Sequence, residues 1–411
     1  MTTFSTRGKE ALDDYIETVG IAKTVPGFVL GVANVEGEIY FQNSGFNRFD
    51  DPSSGKVNPD SVFWLVSQTR LISHLAALKL IEQGKLCLHS HVADYLPEFR
   101  TPVIVDRLSS QKKVLRPAKT AVTVKHLLNF SSGLFYPIEE GQPMRMGINT
   151  SKEMHQTTDP SASFFRLIMG ELPGMPLKFE PGTDWAYGWS SDVLGFLVEK
   201  ISGLTLHQFC KQHIFDPLGM ESSSFYLTPA LRKRLVNLTF RDNGGPHQHW
   251  ANQMDIIEQD PDKVKVLLGG AGMYSSMKDY LKILQHLLQI KVNYPIENPL
   301  FSQETVEQIF TPALTEQGSK SLSGFSMSPG TQWGTALAIC TEDLPQRRRK
   351  GSVFWSGLLG TKGFIDPTTG IAVVFGTQIM TPQNFDIDLF NTWGRLEELI
   401  YAAITSNKPR L

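Results

Sequence analysis

The sequence predicts an α+β fold: one antiparallel sheet built from both ends of the chain and flanked by helices, with a mostly helical lobe inserted between them. Three observations carry this. Short β-rich runs gather near the N-terminus and again near the C-terminus, the stretch between them is dominated by helical apolar spacing, and each end adds an amphipathic helix to its strands. These shifts divide a single unit, residues 1–411, into a sheet lobe over about 8–64 and 331–405 and a helical lobe over about 65–316.

In chain order, Ala11, Leu12, Tyr15, Ile16 and Val19 fall at helical spacing and predict an opening helix over 9–23, stopped by Pro26 and Gly27. Phe28 to Val35 and Glu38 to Asn43 are β-rich and joined by Glu36 and Gly37, a hairpin connection. From Leu65 to about Leu86, Leu71, Ile72, Leu75, Leu78 and Ile81 predict a core helix, stopping at Gly84. Val105 to Lys119 carries Ser109, Ser110, Gln111, Lys112 and Lys113 and reads as a surface loop. Helical spacing returns at Val124–Asn129, Ser163–Met169, Asp192–Ile201, Leu206–Ile214 and Lys278–Leu288. Beyond a Ser- and Gly-rich stretch from Gln317 to Gly330, strands are expected at Gly334–Cys340, Ser352–Trp355, Thr361–Ile365 and Ile371–Thr377, then a last helix over Phe385–Ile404.

Composition removes several classes of function. Charged residues make up 19% and hydrophobic ones 41%, with 25 Phe and 7 Trp, too apolar and aromatic for a disordered chain. A net charge of −2 gives no bulk positive field for a nucleic-acid backbone. Without an apolar stretch of about 18 residues or a signal-like start, no membrane association is expected and the chain reads as cytoplasmic. Pro409, Arg410 and Leu411 loosely echo a peroxisomal address, the alternative compartment. Cys87, Cys210 and Cys340 are too scattered for a disulfide framework or a zinc site and read as reduced, buried thiols. His247 and His249 lack carboxylates spaced to complete a metal shell, so no metal and no cofactor is expected.

Three segments could carry chemistry. Ser67 follows the apolar run Val62 to Val66 where the core helix starts, so its hydroxyl either caps the helix or is a nucleophile favoured by the helix dipole. Tyr187 lies in Trp185-Ala186-Tyr187-Gly188-Trp189, between the turn Glu180-Pro181-Gly182 and a helix, where it is either packed aromatic or proton carrier. Trp355, Ser356 and Gly357 end a strand after the basic run Arg347 to Lys350, and glycine there permits either a bulge or close approach of a substrate.

In this order and at these separations the segments resemble the serine β-lactamase, penicillin-binding protein and class C esterase superfamily. Ser67 to Arg70 stands where that family has Ser-x-x-Lys, Tyr187 where it has its second-motif tyrosine, and Trp355 to Gly357 where it has Lys-Thr-Gly, His-x-Gly or Trp-Gly-Gly. Glu82 to Leu86, Tyr95 to Phe99 and Thr123 to Gly133 match as well. Asp184 to Gly188, Leu197 to Gly203, Pro217 to Met220 and Arg348 to Ser352 look most like the fungal polyketide acyltransferases of the lovastatin type. The resemblance implies a β-lactamase-like fold and an acyl-Ser67 intermediate, with Tyr187 as base and the N–H groups of Ser67 and Leu358 as oxyanion donors. One position departs from the pattern. The lysine one helical turn after the nucleophile is here Arg70, and a guanidinium keeps its proton, so Arg70 holds and stabilises but is not the base. Lys79, about 13 Å further along the helix, is no substitute.

The expected activity is therefore acyl transfer or ester hydrolysis on an apolar small molecule, with an acyl donor that is an ester, a carrier-protein thioester or a CoA thioester. Phe135, Tyr136, Trp189, Trp250, Met273, Tyr274 and Trp355 are candidates to line the cleft. Arg70 keeps two alternatives open: non-acyl chemistry (a cyclase, isomerase or dehydratase) and a binding protein on the same fold.

Overall fold

The computed structural model describes residues 2–108, 113–136, 154–242, 244–250, 257–381 and 385–406. Pro409, Arg410 and Leu411, and Ser109 to Lys112, lie outside the described residues. A seven-stranded antiparallel sheet runs, edge to edge, Gln332–Trp333, Ala338–Ile339, Val353–Ser356, Lys362–Asp366, Ile371–Gly376, Phe28–Ala33, Glu38–Ser44. The two chain ends meet between its fifth and sixth strands, where Val374 pairs with Gly31 and Phe375 with Leu30.

Alternation along the strand Phe28–Ala33 decides what covers each face. Phe28, Leu30 and Val32 point to one side, against the helices Thr6–Ala22 and Ile387–Ala403, in a core with Phe375, Trp393 and Leu396. Val29 and Ala33 point to the other, into the main core with Val374, Met277 and Leu284 of the helix Met277–Lys291. The opening helix is capped by Ser5, whose side chain accepts from Gly8 N, and it ends at Lys23 in the left-handed conformation, three residues before Pro26.

The helix Thr69–Glu82 runs through the main core with nearly all its side chains buried, Arg70, Ser73 and His74 among them. Each fully buried leucine there contributes about 2 kcal/mol of hydrophobic stabilisation, whereas each buried polar group has to find a partner. The helix packs on Ser190–Ser202, and the strand Val62–Trp64 before it pairs antiparallel with Tyr274–Ser276.

Several expectations need correction. The stretch Val105–Lys119 is a hairpin, Val103–Leu108 with Lys113–Pro117, because Val103, Ile104, Val105, Val114 and Leu115 supply strand formers on both sides of the polar turn. Most of Gln317–Gly330, to which the sequence assigned no element, forms the helix Glu316–Ser326, started by Thr315, whose side chain accepts from Gly318 N. The strand expected over Gly334–Cys340 shrinks to Ala338–Ile339, and Leu206–Ile214 divides into Leu206–Cys210 and a wider π turn, Lys211–Phe215. Cys210 and Cys340 are buried, but Cys87 is exposed; all three are free thiols. His247 Nε2 sits 3.0 Å from Arg241, and among the described residues no His, Cys, Asp or Glu group is arranged to hold a metal ion. Among the described residues, too, no helix is long and apolar enough to cross a membrane.

Candidate active site

Ser67 sits in a short 3-10 turn, Val66–Gln68, and the α-helix begins only at Thr69. Its side chain caps nothing: the helix N-cap position belongs to Gln68, which makes no side-chain cap bond either. Val66 has φ +46°, a left-handed conformation that a β-branched residue adopts only when its surroundings impose it, at a cost of about 1–3 kcal/mol. The surroundings do impose it. Leu65 N donates to Met273 O at 2.9 Å, Tyr280 Oη donates to Gln68 O at 3.0 Å, and Met273 N donates to Thr69 Oγ1 at 3.1 Å, so the turn is pinned on both sides of Ser67.

Arg70 lies one turn on and is fully buried. Its Nε donates to Tyr187 Oη at 2.7 Å, Nη2 to Tyr136 Oη at 2.7 Å, and Nη1 to Gly188 O at 3.2 Å and Ser191 Oγ at 3.1 Å. The carbon of the guanidinium stands 4.2 Å from the Tyr187 ring centroid and 5.4 Å from that of Phe130, so the cation is walled by aromatic faces. Burial works against the charge, but Tyr136, Tyr187 and Asp192 outweigh it and hold Arg70 protonated, above its ordinary value. Burial pushes the Tyr136 phenol up despite the pull of Arg70, so it stays neutral.

A second polar chain backs the first. His74 Nδ1 lies 2.8 Å from Thr335 O and Nε2 lies 2.9 Å from Ser191 Oγ. Burial pushes the His74 pKa down to about 3, so the ring is neutral. A carbonyl only accepts, which places the ring proton on Nδ1, makes Nε2 an acceptor and leaves Ser191 donating to His74 while it accepts from Arg70. Every member of this chain then has a partner, as a buried network requires.

The third motif closes the arrangement. Trp355 Nε1 donates to Tyr187 Oη at 3.3 Å, so the phenol oxygen accepts from both Arg70 and Trp355. Gly357 passes so close to the serine segment that a Cβ there would stand 2.3 Å from Leu65 O, which only glycine allows. Gly357 N donates to Thr361 O at 2.7 Å and Gly360 N to Gly357 O at 3.1 Å, a tight turn with Leu358 at its corner. Ser356 alternates to the other sheet face, opposite Lys362, and is exposed.

Of the cleft candidates, Tyr136 bonds Arg70, and Trp189 packs 4.6 Å from Tyr136 as the wall behind it. Met273 and Tyr274 are buried beside the strand Val62–Trp64, and Trp250 packs against Phe240. Phe325, from the Ser- and Gly-rich helix, lies 4.8 Å from the Tyr187 ring and is 40% exposed, with Met327 beyond it 74% exposed. Phe325 supplies an apolar rim that no motif in the sequence marked. Lys79 is occupied elsewhere, with Glu82 and Leu300 O.

The sheet, the buried helix behind it and the three converged segments define a β-lactamase-like enzyme. Residues 12–393 match the β-lactamase family, and the chain belongs to it. It is similar to the acyltransferase calJ of Penicillium decumbens, 28% identical, with 87% of this chain and 85% of the relative covered. It is also similar to a lovastatin esterase of Penicillium rubens, 28% identical, covering 81% and 84% of the two chains. A monacolin J acid methylbutanoyltransferase of Aspergillus terreus is 27% identical, covering 93% and 92%. Among solved structures, the unliganded selenomethionyl simvastatin synthase (LovD) of Aspergillus terreus shares the fold with a TM-score of 0.80 at 23% identity, covering 97% of this chain and 99% of that one.

Proposed function

We propose that this protein is a serine-dependent acyltransferase or esterase that works through an acyl-Ser67 intermediate on an apolar secondary-metabolite ester or alcohol. The observation that carries the reading is the Tyr187 oxygen held by Arg70 at 2.7 Å and Trp355 at 3.3 Å, while Arg70 shares a segment with Ser67 and Gly357 abuts Leu65. Relatives named as an acyltransferase, a lovastatin esterase and a monacolin J acid methylbutanoyltransferase support the same class of reaction.

In the first half-reaction Tyr187, acting as its phenolate, takes the Ser67 proton and becomes the phenol as Oγ attacks the acyl carbonyl. The tetrahedral oxyanion rests on the N–H groups of Ser67 and Leu358, fixed in place before the charge develops. The leaving alcohol or thiol takes the proton from Tyr187 as its bond to the acyl carbon breaks. In the second half, an alcohol or water gives its proton to Tyr187, attacks the acyl-Ser67 carbonyl, and Ser67 leaves with that proton restored. Arg70 never transfers a proton; its fixed charge favours the tyrosinate over the phenol. Phe325 and Trp355, packed beside Tyr187, suit an apolar acyl group or acceptor better than a charged one.

Intact-protein mass after incubation with a fluorophosphonate and with short acyl thioesters tests this. A mass gain in wild type that vanishes in Ser67→Ala is expected, and a wild type that gains no mass overturns the reading. Tyr187→Phe is expected to slow acylation by about two orders of magnitude.

A further inference from the structure

Asp192 has no part in the steps above, yet it is placed as a participant would be. It stands in the first turn of the helix Ser190–Ser202 and is 2% exposed. Its Oδ1 accepts from Gly270 N at 2.9 Å, while Oδ2 is buried without a hydrogen-bond partner. A Cβ on Gly270 would stand 2.8 Å from Asp192 Oδ2 and 3.1 Å from Arg70 Nη1, so only a bare glycine separates the carboxylate from the guanidinium. The two do not pair in contact, because the short bonds of Arg70 go to Tyr187, Tyr136, Gly188 and Ser191.

We propose that Asp192 is a positioning residue of this reaction: the buried counter-charge that, through Arg70, sets how readily Tyr187 gives up its proton. The inference rests on the acyl-Ser67 reading above. Arg70 attracts a tyrosinate and Asp192 repels it, and away from water both act over several ångströms. The charged or titratable groups facing this pair are few. The helix Thr69–Glu82 brings Arg70 and His74, the segment after Val124–Leu128 brings Tyr136, and the residues before Ser190 bring Tyr187. The Gly269–Gly270 turn brings only backbone. Arg70 stays charged, while His74 and Tyr136 stay neutral. Burial pushes the Asp192 carboxyl up to about 6, against the pull of Arg70, so among Arg70, His74, Tyr136 and Asp192 only Asp192 changes charge near neutrality.

The test is the pH dependence of kcat/KM for p-nitrophenyl butyrate in wild type, Asp192→Asn, Asp192→Ser and Asp192→Glu, each checked for a cooperative thermal transition. With the repelling charge gone, the limb on which the rate rises with pH is expected to move down by about one pH unit, a tenfold gain on that limb. Asp192→Glu, which keeps the charge, is expected to stay with wild type. A folded neutral variant whose limb coincides with wild type, or whose rate falls equally at every pH, overturns the proposal. The Ser67→Ala control separates the two readings: if it retains the wild-type rate, acyl-Ser67 fails. An ultraviolet difference titration of tyrosinate, read as wild type minus Tyr187→Phe, needs no turnover. It must still show the downward shift when Asp192→Asn is introduced into both backgrounds, and an unmoved Tyr187 titration overturns the proposal on its own.

Discussion

Arg70 and Arg348 are both drawn out of water onto aromatic faces, and they differ in the oxygen each one meets. Arg348 forks onto Glu397, Nε to Oε1 at 2.9 Å and Nη2 to Oε2 at 3.0 Å, with its guanidinium over the rings of Phe354 and Phe364 at 4.7 and 5.1 Å. Glu397 is fully buried, so that pair is closed: the charge is neutralised in contact and clamps the helix Ile387–Ala403 to the sheet. Arg70 meets two tyrosine oxygens, a carbonyl and a hydroxyl, and makes no contact pair with a carboxylate. A guanidinium bonded to carboxylate has spent its field on folding; one without a carboxylate in contact keeps it for the tyrosine oxygen that carries the reaction's proton.

The largest effect expected from this contrast is on stability. Arg348→Ala leaves Glu397 buried without its cation, which costs about 3–5 kcal/mol. Urea unfolding should show that loss while the folded fraction keeps the wild-type kcat/KM. A loss below about 1 kcal/mol would place Arg348 among weak surface pairs and break the comparison.

Arg70→Lys reverses the pattern. A lysine ammonium has three donors on one point and cannot fork to Tyr187 and Tyr136 while reaching Gly188 and Ser191. The site is built around a planar fork, so restoring the lysine of the family pattern is expected to lower ester hydrolysis about a hundredfold, the scale for losing a pre-placed donor. Thermal unfolding should move less than in Arg348→Ala. A rise in rate would mean that the fork to Tyr136 and Ser191 is dispensable.

The same contrast explains what could be read from the chain. The order of sheet strands and core helices was legible because burial on fixed faces writes a period into the sequence, as in Leu71, Ile72, Leu75 and Leu78. Ser67, Tyr187 and Trp355 to Gly357 were legible as spaced motifs. Beyond Tyr187, the polar network around Arg70 was not. Tyr136 looks like any core aromatic, Ser191 and His74 like ordinary helix residues, and Asp192 like an acidic first-turn residue answering the helix dipole. What distinguishes them is contact between segments far apart in sequence, which no local pattern records. The turn at Ser67 was missed for a related reason: the left-handed Val66 is imposed by Met273 and Tyr280, which lie some two hundred residues away. The helix Glu316–Ser326 was hidden by serines and glycines that propensity assigns to a loop, and its packing of Phe325 and Leu322 overrides that preference.

Glu199, a partly buried carboxylate, supplies the smallest effect. Its Oε1 accepts from Leu206 N at 2.8 Å, and no cation acts on it, so burial pushes its pKa up from 4.5 to about 7. The fold therefore favours the protonated acid. That contribution is complete below the unfolded value near 4.5 and is lost as pH rises through about 7, where the ionised group stays in place without the partner that Glu397 has. Glu199→Gln keeps a carbonyl oxygen for Leu206 N and removes the titration. Its Tm should match wild type at about pH 5 and exceed it by a few degrees at about pH 8. Equal Tm values at both pH values would mean that a carboxylate can ionise in this interior without a guanidinium, and the distinction drawn between Arg348 and Arg70 would then lose its electrostatic basis.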